Sequence, residues 1–249
     1  MTGNGHVAVC WLHPGTVSSV FARSLVDSLL HDLQRDEPRI VSHGYGHVGN
    51  ECGTGGLVAG RNDLVRIVLD HADAEWMFMV DSDMGFAADA IDQLIAAADP
   101  LERPVVGALC FAHKTDGRKE HNAIRYVASP TVYDYVERPD KVGFVARVAY
   151  ERDAVTPCSA TGAAAVLVHR SVLQAVRDRF GDVWFDPITH PTGPTTFSED
   201  LSFCVRLAAV GVPIHVHTGV RTTHHKGGVF LDEEFFDVQQ ASPAAIAAA

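Results

Sequence analysis

The chain has 249 residues, 47% hydrophobic and 20% charged, a composition that suits one large α/β domain, with two small ones as the alternative. Its 31 acidic and 20 basic side chains, a formal net charge of -11, argue against non-specific nucleic-acid binding, which relies on a basic stripe. Cys10, Cys52, Cys110, Cys158 and Cys204 are scattered without a C-x-x-C pair, which argues for reduced thiols and against a disulfide framework or zinc knuckle.

No charged start followed by a long apolar run marks a signal peptide, and no stretch approaches a membrane span in length. No membrane anchor is expected, and the expected compartment is the cytoplasm. Fourteen histidines make the charge balance less negative in mild acid.

In chain order, Val7 to Leu12 reads as a first central strand, broken at His13-Pro14-Gly15. Ser18 to Leu33 has helical spacing, and Arg39 to Ser42 reads as a second strand. The glycine-rich stretch from His43 to Gly56 fits no phosphate-binding pattern and is expected to be a flexible edge of a ligand cleft. Leu57 to His71 is predicted as a helix packed on the sheet, with Arg61 and Asn62 in its first half. An arginine there is either an ordinary surface cation or is aimed at a diphosphate, which a planar guanidinium suits.

Trp76 to Val80 is an apolar run that ends in Asp81-Ser82-Asp83. It reads as a strand buried on both faces, with the carboxylates at its C-terminal end, where ligands bind in open α/β sheets. On extended chain, residues 81 and 83 point to one side, so both can face a single divalent cation. A helix from Ala87 to Ala97 and a strand from Pro104 to Phe111 follow. The basic run from His113 to Arg125 reads as a solvated loop, and Tyr126 to Tyr135 and Val142 to Ala149 as strands crossing the sheet end, where acceptor selectivity is expected.

Ser159 to Val168 places small residues, Gly162 among them, before an apolar strand, which suits close approach of backbone to a ligand as well as tight packing. Ser171 to Phe180 is a short helix, and a loop from Trp184 to Phe197 is placed to close over a ligand. Ser198-Glu199-Asp200 opens another helix, for which capping and dipole effects are a sufficient cause. Ile214 to His217 is the last strand, with His224 and His225 beyond it, and Ala241 to Ala249 is an alanine-rich tail.

Together, the D-S-D at 81–83 after a buried strand, the small-residue stretch with Gly162, the S-E-D at 198–200 and a late histidine resemble a nucleotide-sugar-dependent glycosyltransferase of the GT-A fold, in the style of family 2 and of small stand-alone bacterial or phage enzymes. The resemblance spans about Val7 to Lys226. It implies one Rossmann-like α/β domain, a mostly parallel sheet flanked by helices, with a nucleotide-sugar-binding half over 1–110, an acceptor-binding half over 111–240 and a flexible tail over 241–249. The implied reaction moves a sugar from a nucleotide-diphosphate donor, a UDP-sugar being favoured, to a hydroxyl of a glycan, protein or modified nucleobase.

By the same resemblance, Pro14 and its neighbours hold the nucleobase, Arg61 the nucleotide or diphosphate, and Ser82 and Gly162 the donor. Asp83, with Asp81 directly or through the ribose, binds Mn2+ or Mg2+, and His224, or else His225, completes that site. Asp200 is the general base if the reaction inverts, a role that a retaining reaction would not give it; Glu199 orients the acceptor or supports the loop, and Trp184 meets the acceptor. A nucleotidyltransferase on the same scaffold is the nearest competitor, but it usually has a basic phosphate loop where this chain has His13-Pro14-Gly15-Thr16. A catalytically silent glycan- or nucleotide-binding module is the other. A histidine-based metallohydrolase is disfavoured by the absence of H-E-x-x-H.

Overall fold

The computed structural model describes residues 5–47, 56–120, 123–138, 141–191, 193–226 and 228–241. Residues 48–55 of the glycine-rich stretch with Cys52, His121 of the basic run, and the tail from 242 lie outside them. The four described cysteines are free.

The main sheet contains β1 (Val7–His13), β2 (Ile40–His47), β3 (Trp76–Val80), β5 (Val105–Leu109), β10 (Val155–Cys158), β11 (Ala165–His169) and β12 (Ile214–Lys226), with the short β4 (Met84–Phe86) and β13 (Val229–Leu231) attached to β12. The order is β10-β12-β5-β11-β3-β1-β2. β2, β1, β3, β5 and β12 run in one direction, while β11 and β10 oppose their neighbours. The sheet is therefore mostly parallel and carries its ligand-facing edge at the C-terminal ends of β1, β3 and β5.

Alternation along β1 and β3 feeds two cores. Ala8, Cys10, Met77 and Met79 pack with α2 (Gly56–His71), α4 (Arg170–Phe180) and α5 (Glu199–Ala209). Val7, Val9, Trp76 and Phe78 pack on the other face with α1 (Ser19–Asp32) and α3 (Ala90–Ala97). Two hairpins, β6 (Phe111–Glu120) with β7 (Ala123–Pro130) and β8 (Tyr133–Arg138) with β9 (Lys141–Ala146), project from the ligand-facing edge. The helix α6 (Glu233–Ala241) closes the chain, and Phe236 packs on Phe111.

Several expectations are corrected. The stretch beginning at His43 is not a loose cleft edge as far as it is described, because β2 continues through Gly44 and Gly46 to His47 in parallel register with β1. A Cβ at Gly44 would lie 3.1 Å from Leu64 and one at Gly46 2.8 Å from Leu12, so these glycines let neighbouring side chains close onto the strand. The basic run is a strand pair rather than a loop. The helix expected from Ala87 begins at Ala90 because residues 84–86 pair with β12. The last strand does not stop at His217. It shifts register against β5 between His217 and Arg221 and continues to Lys226.

Gly85 sits where β4 meets both α1 and β12. A Cβ there would collide with Val20 Cγ1 and Thr223 Oγ1, both on stiff β-branched side chains. Gly85→Ala is expected to cost about 1–3 kcal/mol through overpacking, read as a lowered melting temperature. An unchanged melting temperature would show that this junction yields freely.

Candidate active site

The turn after β3 decides where the two aspartates go. Residues 82 and 83 are not extended: the Met84 N–H donates to the Asp81 carbonyl at 3.1 Å, and Ser82 accepts from the Ser18 N–H at 2.9 Å. Strand alternation therefore does not carry through the triplet, and the carboxylates take separate partners instead of one common side.

Asp81 accepts from Arg61 Nη2 at 3.0 Å. Nη1 of the same guanidinium donates to Asp200 Oδ1 and, at 3.5 Å, to Glu199 Oε1. Arg61 is 5% exposed and lies 5.4 Å from the Phe185 ring centroid. It is thus the buried hub that joins α2, the end of β3 and the start of α5. One guanidinium against three carboxylates leaves the hub with two formal negative charges in excess.

Ser198 makes no side-chain cap bond to α5, so the acidic first turn is organised by Arg61 rather than by capping alone. The guanidinium holds Asp200 Oδ1, while Oδ2 lies on the Gly162 side, 3.7 Å from where a Cβ of residue 162 would stand. Gly162 needs no left-handed backbone, and its missing side chain leaves room over Asp200. Asp81, Gly162, Asp200, Tyr133 and His224 line one cavity of about 150 Å3.

Asp83 is tied to β12. Its carbonyl accepts from the His225 N–H at 2.9 Å, and its Oδ2 accepts from Lys226 Nζ. Burial by itself would raise the Asp83 pKa, but the contacts with His224 and Lys226 outweigh it and hold the carboxyl down to about 2, so it is ionised at neutral pH.

His224 donates from Nδ1 to the Phe111 carbonyl at 2.9 Å, so that in the neutral imidazole Nε2 carries the lone pair. That Nε2 faces Asp83 Oδ1 at 3.3 Å, an ion pair when the imidazole is protonated; with a neutral imidazole neither buried atom has a hydrogen-bond partner. His225 turns away and stacks on Phe230 with centroids 4.7 Å apart.

Neighbouring ligands of an octahedral cation at about 2.1 Å lie about 3 Å apart, so the Asp83 and His224 atoms have spacing that suits a shared hard cation. Among the described residues no group of three or more His, Cys, Asp or Glu is placed to hold a metal ion, so the protein would supply two ligands and leave the others to substrate oxygens and water. The backbone carbonyl on His224 Nδ1 is the usual second-sphere partner of a ligating imidazole.

Of the remaining positions singled out in the sequence, Pro14 is exposed in the turn after β1. Trp184 stands apart from the cavity: it is fully buried, and its indole N–H donates to the Leu173 carbonyl at 3.0 Å. Two residues were missed as site candidates. Lys226 lies beyond the strand expected to end at His217, and a strand continued through Lys226 would have placed it beside Asp83. Asn62 Oδ1 accepts from the N–H groups of Trp184 and Phe185 at 3.0 and 2.9 Å and so anchors the loop that begins there.

No protein-family model matches the chain, and no curated protein does. Solved structures do. The chain is similar to A197 from STIV, with 12% identity, a TM-score of 0.55 and coverage of 92% of this chain and 91% of that one. It is also similar to GalNAc-T7, solved with UDP, GalNAc and Mn2+, with 9% identity and a TM-score of 0.56 over 90% of this chain. The chain has a GT-A-like fold. It spans 44% of the GalNAc-T7 chain, and the likeness reaches the GT-A-like fold without singling out family 2. Within this GT-A-like domain, the Arg61 hub and the Asp83–His224 pair both lie at the ligand-facing edge of the sheet.

Proposed function

We propose that this GT-A-like domain is a metal-dependent glycosyltransferase that takes a nucleotide-diphosphate sugar, UDP-linked by preference, and transfers its sugar to an acceptor hydroxyl. The observation that carries this reading is the pair of buried, unpartnered atoms, Asp83 Oδ1 and His224 Nε2, 3.3 Å apart. Two such atoms left facing each other are costly unless a ligand joins them. Mn2+ or Mg2+ bound there would supply Lewis-acid stabilisation of the departing diphosphate.

The chain's own residues divide the other tasks. Arg61 fixes Asp200 by one oxygen and leaves Oδ2 toward Gly162 as the base. In an inverting transfer, the acceptor oxygen bonds to the anomeric carbon as its proton passes to Asp200 Oδ2, and the anomeric carbon–oxygen bond to phosphate breaks. Glu199 shares the guanidinium and keeps it in place. Asp81, bonded to Arg61, is left to meet the donor ribose, and Ser82, Gly162 and Pro14 line the donor's path. On this reading residues 1–110, joined by Gly162, His224 and Lys226, hold the donor, and the rest of 111–240 the acceptor. Trp184 serves packing, and acceptor contacts fall to other residues.

Thermal unfolding with a panel of nucleotide sugars, each with Mn2+ and with EDTA, tests the reading, because a ligand that binds only the native state raises the melting temperature. A Mn2+-dependent rise with one nucleotide sugar is expected. A rise with nucleoside triphosphates alone would replace the reading with a nucleotidyltransferase.

Lys226 is the cation that Asp83 holds when no donor is bound, and its flexible stem lets the ammonium turn to a diphosphate. Lys226→Met is expected to weaken nucleotide-sugar binding about tenfold with little change in Mn2+ affinity, measured by titration calorimetry. Equal weakening of both would make Lys226 a support for Asp83 only.

A further inference from the structure

A second recess, of about 480 Å3, lies beside the Asp200 cavity, walled by the β8–β9 hairpin, the loop that starts at Trp184, and α5. Its walls include Tyr135, Phe144, Phe197, Val205 and Ala208, and among the described residues no Asp, Glu, Lys or Arg lines it. Tyr135 and Phe144 meet edge to face at 5.3 Å, as do Phe144 and Phe197 at 5.4 Å, so the aromatic wall is held by its own packing. A hydrogen bond at 3.3 Å between Tyr135 Oη and His190 Nε2 adds a polar point.

The recess continues the catalytic cavity along two elements. Tyr133 lines the Asp200 cavity and Tyr135, two residues along β8 and so on the same face, lines the recess. Leu201 lines the cavity and Val205, one turn along α5, lines the recess. A group placed there lies roughly one helical turn, about 5.4 Å, beyond the cavity.

We propose that this recess binds an uncharged apolar group of a small molecule and, resting on the function proposed above, that this group is the alkyl or aryl part of the acceptor whose hydroxyl meets Asp200. The absence of charged walls disfavours a phosphate or carboxylate, which would be desolvated there without a partner. The volume lies in the range of small-ligand pockets, about 300–1,000 Å3. A protein partner would need a broad face of about 800 Å2, whereas this is a recess set between three elements.

The test is a fluorescence titration of the full chain with N-phenyl-1-naphthylamine, an uncharged naphthyl probe, in wild type, Val205→Trp and Ala208→Trp. Ala208 is exposed, so its replacement fills the recess without disturbing the core. Saturable one-to-one binding is expected in wild type, weakened about tenfold or more in both variants at unchanged melting temperature. Ala208→Trp is further expected to keep metal-dependent hydrolysis of the donor and to lose transfer to alkyl or aryl acceptors.

No saturable binding, or equal affinity in the variants, overturns the proposal. So does a dimer in sedimentation that Ala208→Trp dissolves, since a second copy would then be the occupant. The probe titration contains neither metal nor nucleotide sugar. Its failure with an intact donor response removes the recess alone, and a missing donor response removes the acceptor assignment while the probe result stands.

Discussion

Asp83→Ala is expected to abolish the Mn2+-dependent rise in melting temperature that a bound nucleotide sugar produces, whereas Asp200→Asn keeps the rise and loses transfer. At a ligand concentration one hundred times its dissociation constant, binding adds about 2.7 kcal/mol, or about 5–10 °C for a chain of this size. Asp83 loses that response because its Oδ1 and His224 Nε2 are the two atoms left for a cation. Asp200 retains it because its carboxylate is bonded to Arg61 and turned toward Gly162, with no contact to Asp83 or His224 among its bonds. Removal of a general base typically costs about 10²–10⁴ in rate. Equal loss of donor affinity in both variants would remove the division of labour between them.

The second large effect is expected at Arg61. Arg61→Met leaves Asp81, Glu199 and Asp200 without the cation that joins them, in a cleft where Arg61 itself is 5% exposed. Breaking a buried pair costs about 3–5 kcal/mol, and the partial exposure of the three carboxylates places the loss near about 3 kcal/mol. For this length that is a fall of about 6–12 °C in melting temperature. Arg61→Lys keeps a charge without the planar fork and should recover part of the stability while leaving Asp200 poorly oriented and transfer slow. A melting temperature that moves by less than about 2 °C in Arg61→Met would mean that the carboxylates relax into solvent.

The elements with long periodic or apolar runs were legible in the sequence. Trp76 to Val80 is the strand that its apolar run predicts, and the spacing of Leu64, Val65, Val68 and Leu69 gives the helix that carries Arg61. The sheet order and the opposed β11 were not legible, because strand partners are set by contacts far apart in sequence. β2 was cut short because Gly44 and Gly46 read as loop residues, although they serve the approach of Leu64 and Leu12.

At the site, residue types were readable and their partners were not. Alternation put Asp81 and Asp83 together, and a turn at 82–83 separated them. Arg61 was read as a nucleotide or diphosphate ligand, while in the structure its Nη1 and Nη2 already bond three carboxylates from two other elements. Whether the donor competes for them is what the Arg61 variants probe. The two histidines were distinguishable only in principle: alternation says that one points in, and the pairing of β12 with β4 and β13 fixes that one as His224.

That pairing also sets when the site comes into being. Met84 sits opposite His224 on the β4–β12 ladder, so the reach between Asp83 and His224 is fixed by strand register rather than by loop conformation. Asp83 meets β12 over a long stretch of sequence: Asp83 and Lys226, two residues beyond His224, are 143 residues apart. Contacts so distant in sequence form late, after the loop between them has been closed. On the proposed function, the nascent chain would have no cation pocket until β12 has emerged and docked, so metal affinity would double as a report of that docking, and truncation before Thr222 should erase it even where the N-terminal strands and helices have already assembled.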